Sequence, residues 1–128
     1  MSNTNKPLIL VVDDIAQNLD VLATVLGTEY DVRMAKNGKA ALAAARQLPT
    51  PQLILLDVMM PGRHDGLQVC ASVRADPALA DTRVVLLSAR ADGGDRAAGQ
   101  AAGADEYLTK PFSPLQLLET IDRLLPTA

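Results

Sequence analysis

Five times along this chain a short, unbroken apolar run gives way to a stretch with helical spacing, and that alternation restricts the fold more than any other feature. The runs are Leu8–Val12, Tyr30–Met34, Leu53–Leu56, Val84–Leu87 and a shorter one around Tyr107–Leu108. Between them Ile15, Leu19, Leu22 and Leu26 recur at three to four residues, as do Leu118, Ile121 and Leu125 near the end. A strand that is apolar at every position is buried on both faces. The repeat therefore predicts a parallel sheet with helices on both sides, and right-handed crossovers make it a doubly wound α/β sandwich. Two helix starts are legible directly. Asn37 is placed to cap an Ala-rich helix over Gly38–Gln47, and Ser113, Pro114 and Gln116 form a Ser-x-x-Gln capping box with proline at the first helical position.

At 128 residues the chain has the size of a single domain, 1–128, and no internal repeat, linker or low-complexity tail divides it. Apolar residues make up 48%, yet aromatics are limited to two Tyr and one Phe, so the core must be aliphatic. The net charge of −3 is scattered, without a basic stripe, which argues against direct contact with nucleic acid. No leader is expected from the residues given, and none of them forms an apolar stretch of membrane-spanning length. Together with a single cysteine, Cys70, this points to the reducing cytoplasm and away from a membrane. Cys70 falls at an apolar position of a helix and reads as a small buried hydrophobe.

The fourth helical segment, Asp92–Gly103, is unusual. It begins Gly93-Gly94 and contains Gly99 and Gly103. Each interior glycine costs a helix roughly 1 kcal/mol relative to alanine, so this helix is predicted to be marginal. A compositional bias and a labile element that can be reordered account for it equally well.

In an open α/β sheet, ligands bind beyond the carboxyl ends of the strands. Strand one ends in Asp13-Asp14, strand three in Asp57 and strand four in Ser88, while strand five runs into Thr109-Lys110-Pro111. The second strand ends in Ala35 and delivers nothing, which fits an edge position. Taken singly these are weak signals: Asp14 before Ile15 could simply cap a helix, and a lone Ser or Lys is usually a turn hydroxyl or solvated surface. The conjunction is informative. Two like charges about 4 Å apart repel by roughly 4 kcal/mol at an effective dielectric of about 20, so three carboxylates call for cations. Hard oxygen ligands with room for water suit Mg²⁺, and Lys110 is long enough to cross the roughly 10 Å, two strand spacings, from strand five to strand three. A carboxylate facing Mg²⁺ and an ammonium is arranged to attack phosphorus. Ser88 is placed to donate to a phosphoryl oxygen once one arrives.

These residues resemble the receiver domains of bacterial two-component response regulators. The likeness is carried by Leu8-Ile9-Leu10-Val11-Val12-Asp13-Asp14, by Leu53-Ile54-Leu55-Leu56-Asp57-Val58-Met59-Met60-Pro61-Gly62, by Leu86-Leu87-Ser88-Ala89 and by Gly103-Ala104-Asp105-Glu106-Tyr107-Leu108-Thr109-Lys110-Pro111-Phe112. It implies a flavodoxin-like five-stranded sheet of order 2-1-3-4-5. It also implies Asp57 as phosphoacceptor, Mg²⁺ held by Asp13, Asp14, Asp57 and the Met59 backbone carbonyl, and Lys110 contacting the phosphoryl group. Ser88 would swing towards that group, Tyr107 would follow it inward, and the Lys110–Pro111 bond would be cis. The donor would be a sensor histidine kinase or a histidine phosphotransfer protein. Output to a partner or an attached domain would pass through the face of helix 4, strand 5 and helix 5, which includes Arg90, Tyr107 and Phe112 and which also admits a homodimer. The chain would be regulatory, not an enzyme. It is either a stand-alone receiver or a domain of a longer regulator, and Asn18–Leu22 with Tyr30–Gly38 resemble receivers that precede cyclic-dinucleotide enzymes.

Two departures from the family pattern stand out. Met60-Pro61-Gly62-Arg63-His64-Asp65-Gly66 is one residue longer than usual and lacks an apolar Met, and Ser88 stands where Thr is commoner. His64 has no second ligand at metal-binding spacing and reads as a solvated loop residue. Rival enzyme readings fail on named residues. A haloacid-dehalogenase-like phosphatase would need an Asp where Met59 stands, and a flavin carrier would need a hydroxyl- and Gly-rich loop in place of Asp13-Asp14. A phosphorylation-independent interaction module with a vestigial site is the alternative that stays open.

Overall fold

The computed structural model describes residues 6–58, 66–88 and 94–125, the side chains of 94–96 excepted. Among them, five strands alternate with five α-helices: β1 (Leu8–Val12), α1 (Ala16–Leu26), β2 (Asp31–Ala35), α2 (Gly38–Arg46), β3 (Leu53–Asp57), α3 (Gly66–Ala75), β4 (Arg83–Ser88), α4 (Gly94–Ala102), β5 (Glu106–Thr109) and α5 (Pro114–Leu124). All strand pairs are parallel, in the order β2-β1-β3-β4-β5, as the resemblance implied.

Successive strand residues point to opposite faces, and the core divides accordingly. Leu10, Val12, Ile54, Leu56, Val84 and Leu86 pack with Ala41 and Ala45 of α2 and with Val69, Cys70 and Val73 of α3. Ile9, Val11, Leu53, Leu55, Val85 and Leu87 pack with Leu19, Leu22 and Leu26 of α1 and with Leu117 and Ile121 of α5. Burial on both sides explains the unbroken apolar runs. Cys70 is fully buried, its thiol donates to the Ala102 carbonyl at 3.5 Å, and burial pushes its pKa up to about 11, as suits a packing residue.

The predicted caps are present: the Asn37 side chain accepts from Ala40 N at 2.7 Å and Ser113 Oγ from Gln116 N at 3.0 Å. Three strands differ at their ends. β3 includes Asp57 and β4 runs from Arg83 to Ser88, because a polar terminal residue still joins the ladder: Asp57 pairs with Leu87 and Ser88 with Thr109. β2 starts at Asp31, and Tyr30 instead buries its ring and donates its hydroxyl to Asp122 at 3.1 Å. β2 is indeed an edge strand, and its Arg33 guanidinium bonds the carbonyls of Ala44 in the last turn of α2 and of Gln47 and Pro49 just beyond it.

α4 ends at Ala102, one residue before the predicted Gly103, and the glycines at 99 and 103 have packing or backbone reasons. A β-carbon at Gly99 would lie 2.6 Å from Leu86 Cδ1, so an alanine there would require the Leu86 side chain to shift. Gly103 has φ +96 and closes the helix in a conformation that L side chains rarely adopt. The Lys110–Pro111 peptide is cis, and so is Leu48–Pro49, which the sequence reading did not anticipate. Among the described residues no helix is long and apolar enough to cross a membrane.

Candidate functional site

Parallel register brings the strand-terminal residues together. Val12 pairs with Leu56, so Asp13 and Asp57, one residue further on, emerge side by side. Both are buried, at 1% and 4% exposure, whereas Asp14 is exposed. One carboxylate oxygen from each of the three lies within 4.8 Å of the others. Lys110, just past β5, places Nζ 3.4 Å from Asp57 Oδ2 and 3.9 Å from Asp13 Oδ2, so the predicted reach across two strands is made. Its backbone is anchored as well, with Lys110 N–H donating to the Ser88 carbonyl at 2.6 Å.

Among the described residues, three carboxylates outnumber the Lys110 ammonium that faces two of them. Buried carboxylates are retained when they are paired or when they bind a cation. Oxygen donors on one side of a site, with an exposed third carboxylate towards solvent, fit a hard divalent ion that keeps part of its water shell. Asp13, Asp14 and Asp57 are therefore the residues suited to Mg²⁺. Met59, whose backbone carbonyl was expected to join them, lies outside the described residues, as do Arg90, His64 and the rest of the lengthened loop.

Ser88 ends β4 fully buried, and Tyr107 lies inward on β5 at 9% exposure, opposite Leu86. Alternation puts Ser88 on the same sheet face as Leu86, and Tyr107 belongs to the core on that face. Both expected switch residues thus share the side of the sheet covered by α2, α3 and α4.

Three contributors escaped the sequence reading. Asn18 of α1 donates its side-chain amide to Asp13 Oδ2 at 3.2 Å. Ala35 accepts from Asp13 N at 3.2 Å, so β2 supplies a backbone carbonyl where its side chain delivers nothing. Gly66 opens α3 directly against the backbone of Asp57 and Val58. The reading of Asp14 as a helix cap also gives way: Ile15 holds the cap position without a side-chain cap bond, and Asp13 Oδ1 accepts from Ile15 N at 2.9 Å.

The model of the response regulator receiver domain family matches residues 9–122. Response regulator PleD of Caulobacter vibrioides is 46% identical over 118 residues, which cover 91% of this chain and 25% of PleD. DNA-binding response regulator MtrA of Mycobacterium tuberculosis is 40% identical over 120 residues, covering 93% of this chain and 50% of MtrA. The chain thus spans a quarter to a half of these relatives. Among solved structures, a putative response regulator from Chloroflexus aurantiacus superposes with a TM-score of 0.88 at 34% identity, covering 96% of this chain and all of that one.

Proposed function

Because the chain belongs to the response regulator receiver family, we propose that residues 1–128 form one receiver domain that takes a phosphoryl group on Asp57 in two-component signalling. The observation that carries this reading is the pairing of a buried, strand-terminal carboxylate with a cation: Lys110 Nζ stands 3.4 Å from Asp57 Oδ2, beside two further carboxylates.

In the transfer a carboxylate oxygen of Asp57 attacks the phosphorus of a phosphohistidine donor. The O–P bond forms as the P–N bond breaks, and the imidazole, already protonated on its other ring nitrogen in the donor, leaves as the neutral ring. Lys110 pairs with the added charge, and Ser88 donates its hydroxyl to a phosphoryl oxygen. Mg²⁺ held by Asp13, Asp14, Asp57 and the Met59 carbonyl supplies charge neutralisation and orientation when bound. Tyr107 follows Ser88 on their shared sheet face, which biases the surface of α4, β5 and α5 between two states.

The family is regulatory, and on this reading the chain promotes only its own phosphorylation and dephosphorylation. Its partners are a sensor histidine kinase or histidine phosphotransfer protein and, through α4, β5 and α5, an output domain, a downstream protein or a second copy. We assign it to the cytoplasm. With a net charge of −3, these residues themselves are not assigned a nucleic-acid contact.

The test is intact mass after incubation with a small acyl phosphate or phosphoramidate, with Mg²⁺ and then with chelator. One Mg²⁺-dependent phosphoryl adduct, absent from Asp57→Asn, is the expected result. Full uptake by Asp57→Asn would remove the acceptor assignment. No adduct together with no beryllofluoride binding would favour the vestigial interaction module.

A further inference from the structure

Asp13 is the most enclosed of the three carboxylates, and both its oxygens have partners. Oδ1 accepts from Ile15 N at 2.9 Å. Oδ2 is the contested atom: the Asn18 amide donates to it at 3.2 Å, and Lys110 Nζ stands 3.9 Å from it. Lys110 is nearer to Asp57, at 3.4 Å. A neutral donor and a cation therefore share one oxygen, and the cation leans towards the other carboxylate.

We propose that Asn18 is a positioning residue that occupies Asp13 Oδ2, keeping Lys110 on Asp57 and leaving the carboxylate cluster open to a divalent cation. The inference rests on the metal and acceptor reading given above and deepens it. An amide contributes no net charge, so it can orient Asp13 without neutralising it. An ammonium drawn fully onto Asp13 would neutralise it and would oppose a second cation at the same oxygens. Loss of the amide therefore releases Lys110 towards Asp13, away from the carboxylate it serves. Asn18 is well placed for this. It lies in the first turn of α1 and is only partly buried, and its side-chain amide reaches back to the strand-terminal Asp13.

The effect should be visible in Mg²⁺ affinity, measured by titration calorimetry on the full chain without any phosphoryl donor. Asn18→Ala and the similarly shaped Asn18→Leu should each bind Mg²⁺ roughly tenfold more weakly, the usual size of an effect from a group that orients a metal ligand. Ala and Leu are better helix formers than Asn, so both variants should fold with an unchanged or higher thermal midpoint. Asn18→Gln, which restores an amide, should recover part of the affinity.

Coupling to Lys110 separates this role from a merely structural one. In a Lys110→Ala background, Asn18→Ala should change Mg²⁺ affinity by less than threefold, because no ammonium remains to be released; an undiminished loss there would overturn the proposal. Wild-type affinity in the Asn18→Ala and Asn18→Leu single variants would overturn it equally while leaving the metal reading standing. A wild-type chain that binds no Mg²⁺ would remove both.

Discussion

Gly66 packs so closely beneath the phosphoacceptor candidate that a β-carbon there would lie 2.6 Å from Val58 Cα and nearer still to the Asp57 carbonyl oxygen. The obstructing atoms are backbone, which cannot swing aside as a side chain can. Gly66→Ala is therefore expected to cost about 1–3 kcal/mol of stability, the range for forcing extra volume into a packed site. Chemical denaturation measures this. Because the displaced backbone carries Asp57, phosphoryl uptake per folded molecule should fall as well, by a larger factor than in a surface variant of equal stability.

Lys110→Ala removes the cation that faces both Asp57 and Asp13. The acceptor oxygen remains, so an adduct should still form with a small donor. The response should be weaker: amide resonances of β5 and α4 should move less on phosphorylation or beryllofluoride binding than in the wild type. A full-sized shift would show that the ammonium plays no part in the switch.

At Gly103 the chain has φ +96, and a β-carbon there would also collide with the Arg74 side chain. Gly103→Ala is expected to destabilise by about 1–3 kcal/mol. Arg74 bonds the Thr82 carbonyl ahead of β4, so the loss should reach beyond α4. Faster hydrogen exchange at the start of β4 as well as in α4 would record it.

Tyr30 gives a test in alkali. Burial, followed by the hydrogen bond to Asp122, pushes its hydroxyl from about 10 up to about 12. The folded value is raised, so the stabilisation is complete below the ordinary tyrosine value and is lost as pH rises through the interval from about 10 to about 12. Asp122→Asn should lower the folded value and shrink that loss. Tyrosinate absorbance, with Tyr30→Phe to isolate the signal of Tyr107, checks it.

Much of the site was legible because buried parallel strands are apolar throughout, so a charge at a strand's end stands out. Asp13, Asp57, Ser88 and Lys110 were visible for that reason. Asn18 was not: on a helix surface an Asn looks like any solvated polar residue, and its relation to Asp13 depends on how α1 leaves the sheet. Gly66 and Gly99 were opaque on similar grounds, since a glycine kept for close approach cannot be told from a flexible one until its neighbour is known. For Gly99 that neighbour is Leu86, far away in sequence. The start of β2 was misjudged by one residue because Tyr30 is apolar enough to extend the run, yet it precedes the strand and reaches Asp122.

The two cores have a consequence for inheritance. Leu86 and Leu87 are chain neighbours on β4, yet one packs towards α2 and α3 and the other towards α1 and α5. The sheet is thus a partition wall between two rooms that share no furniture. Conservative repacking on one side leaves the other side's contacts intact, and paired substitutions across the wall should combine additively. Lineages descended from such a chain could refashion the chamber that holds Tyr107 while the opposite chamber stays as it was, so each side can diverge at its own pace.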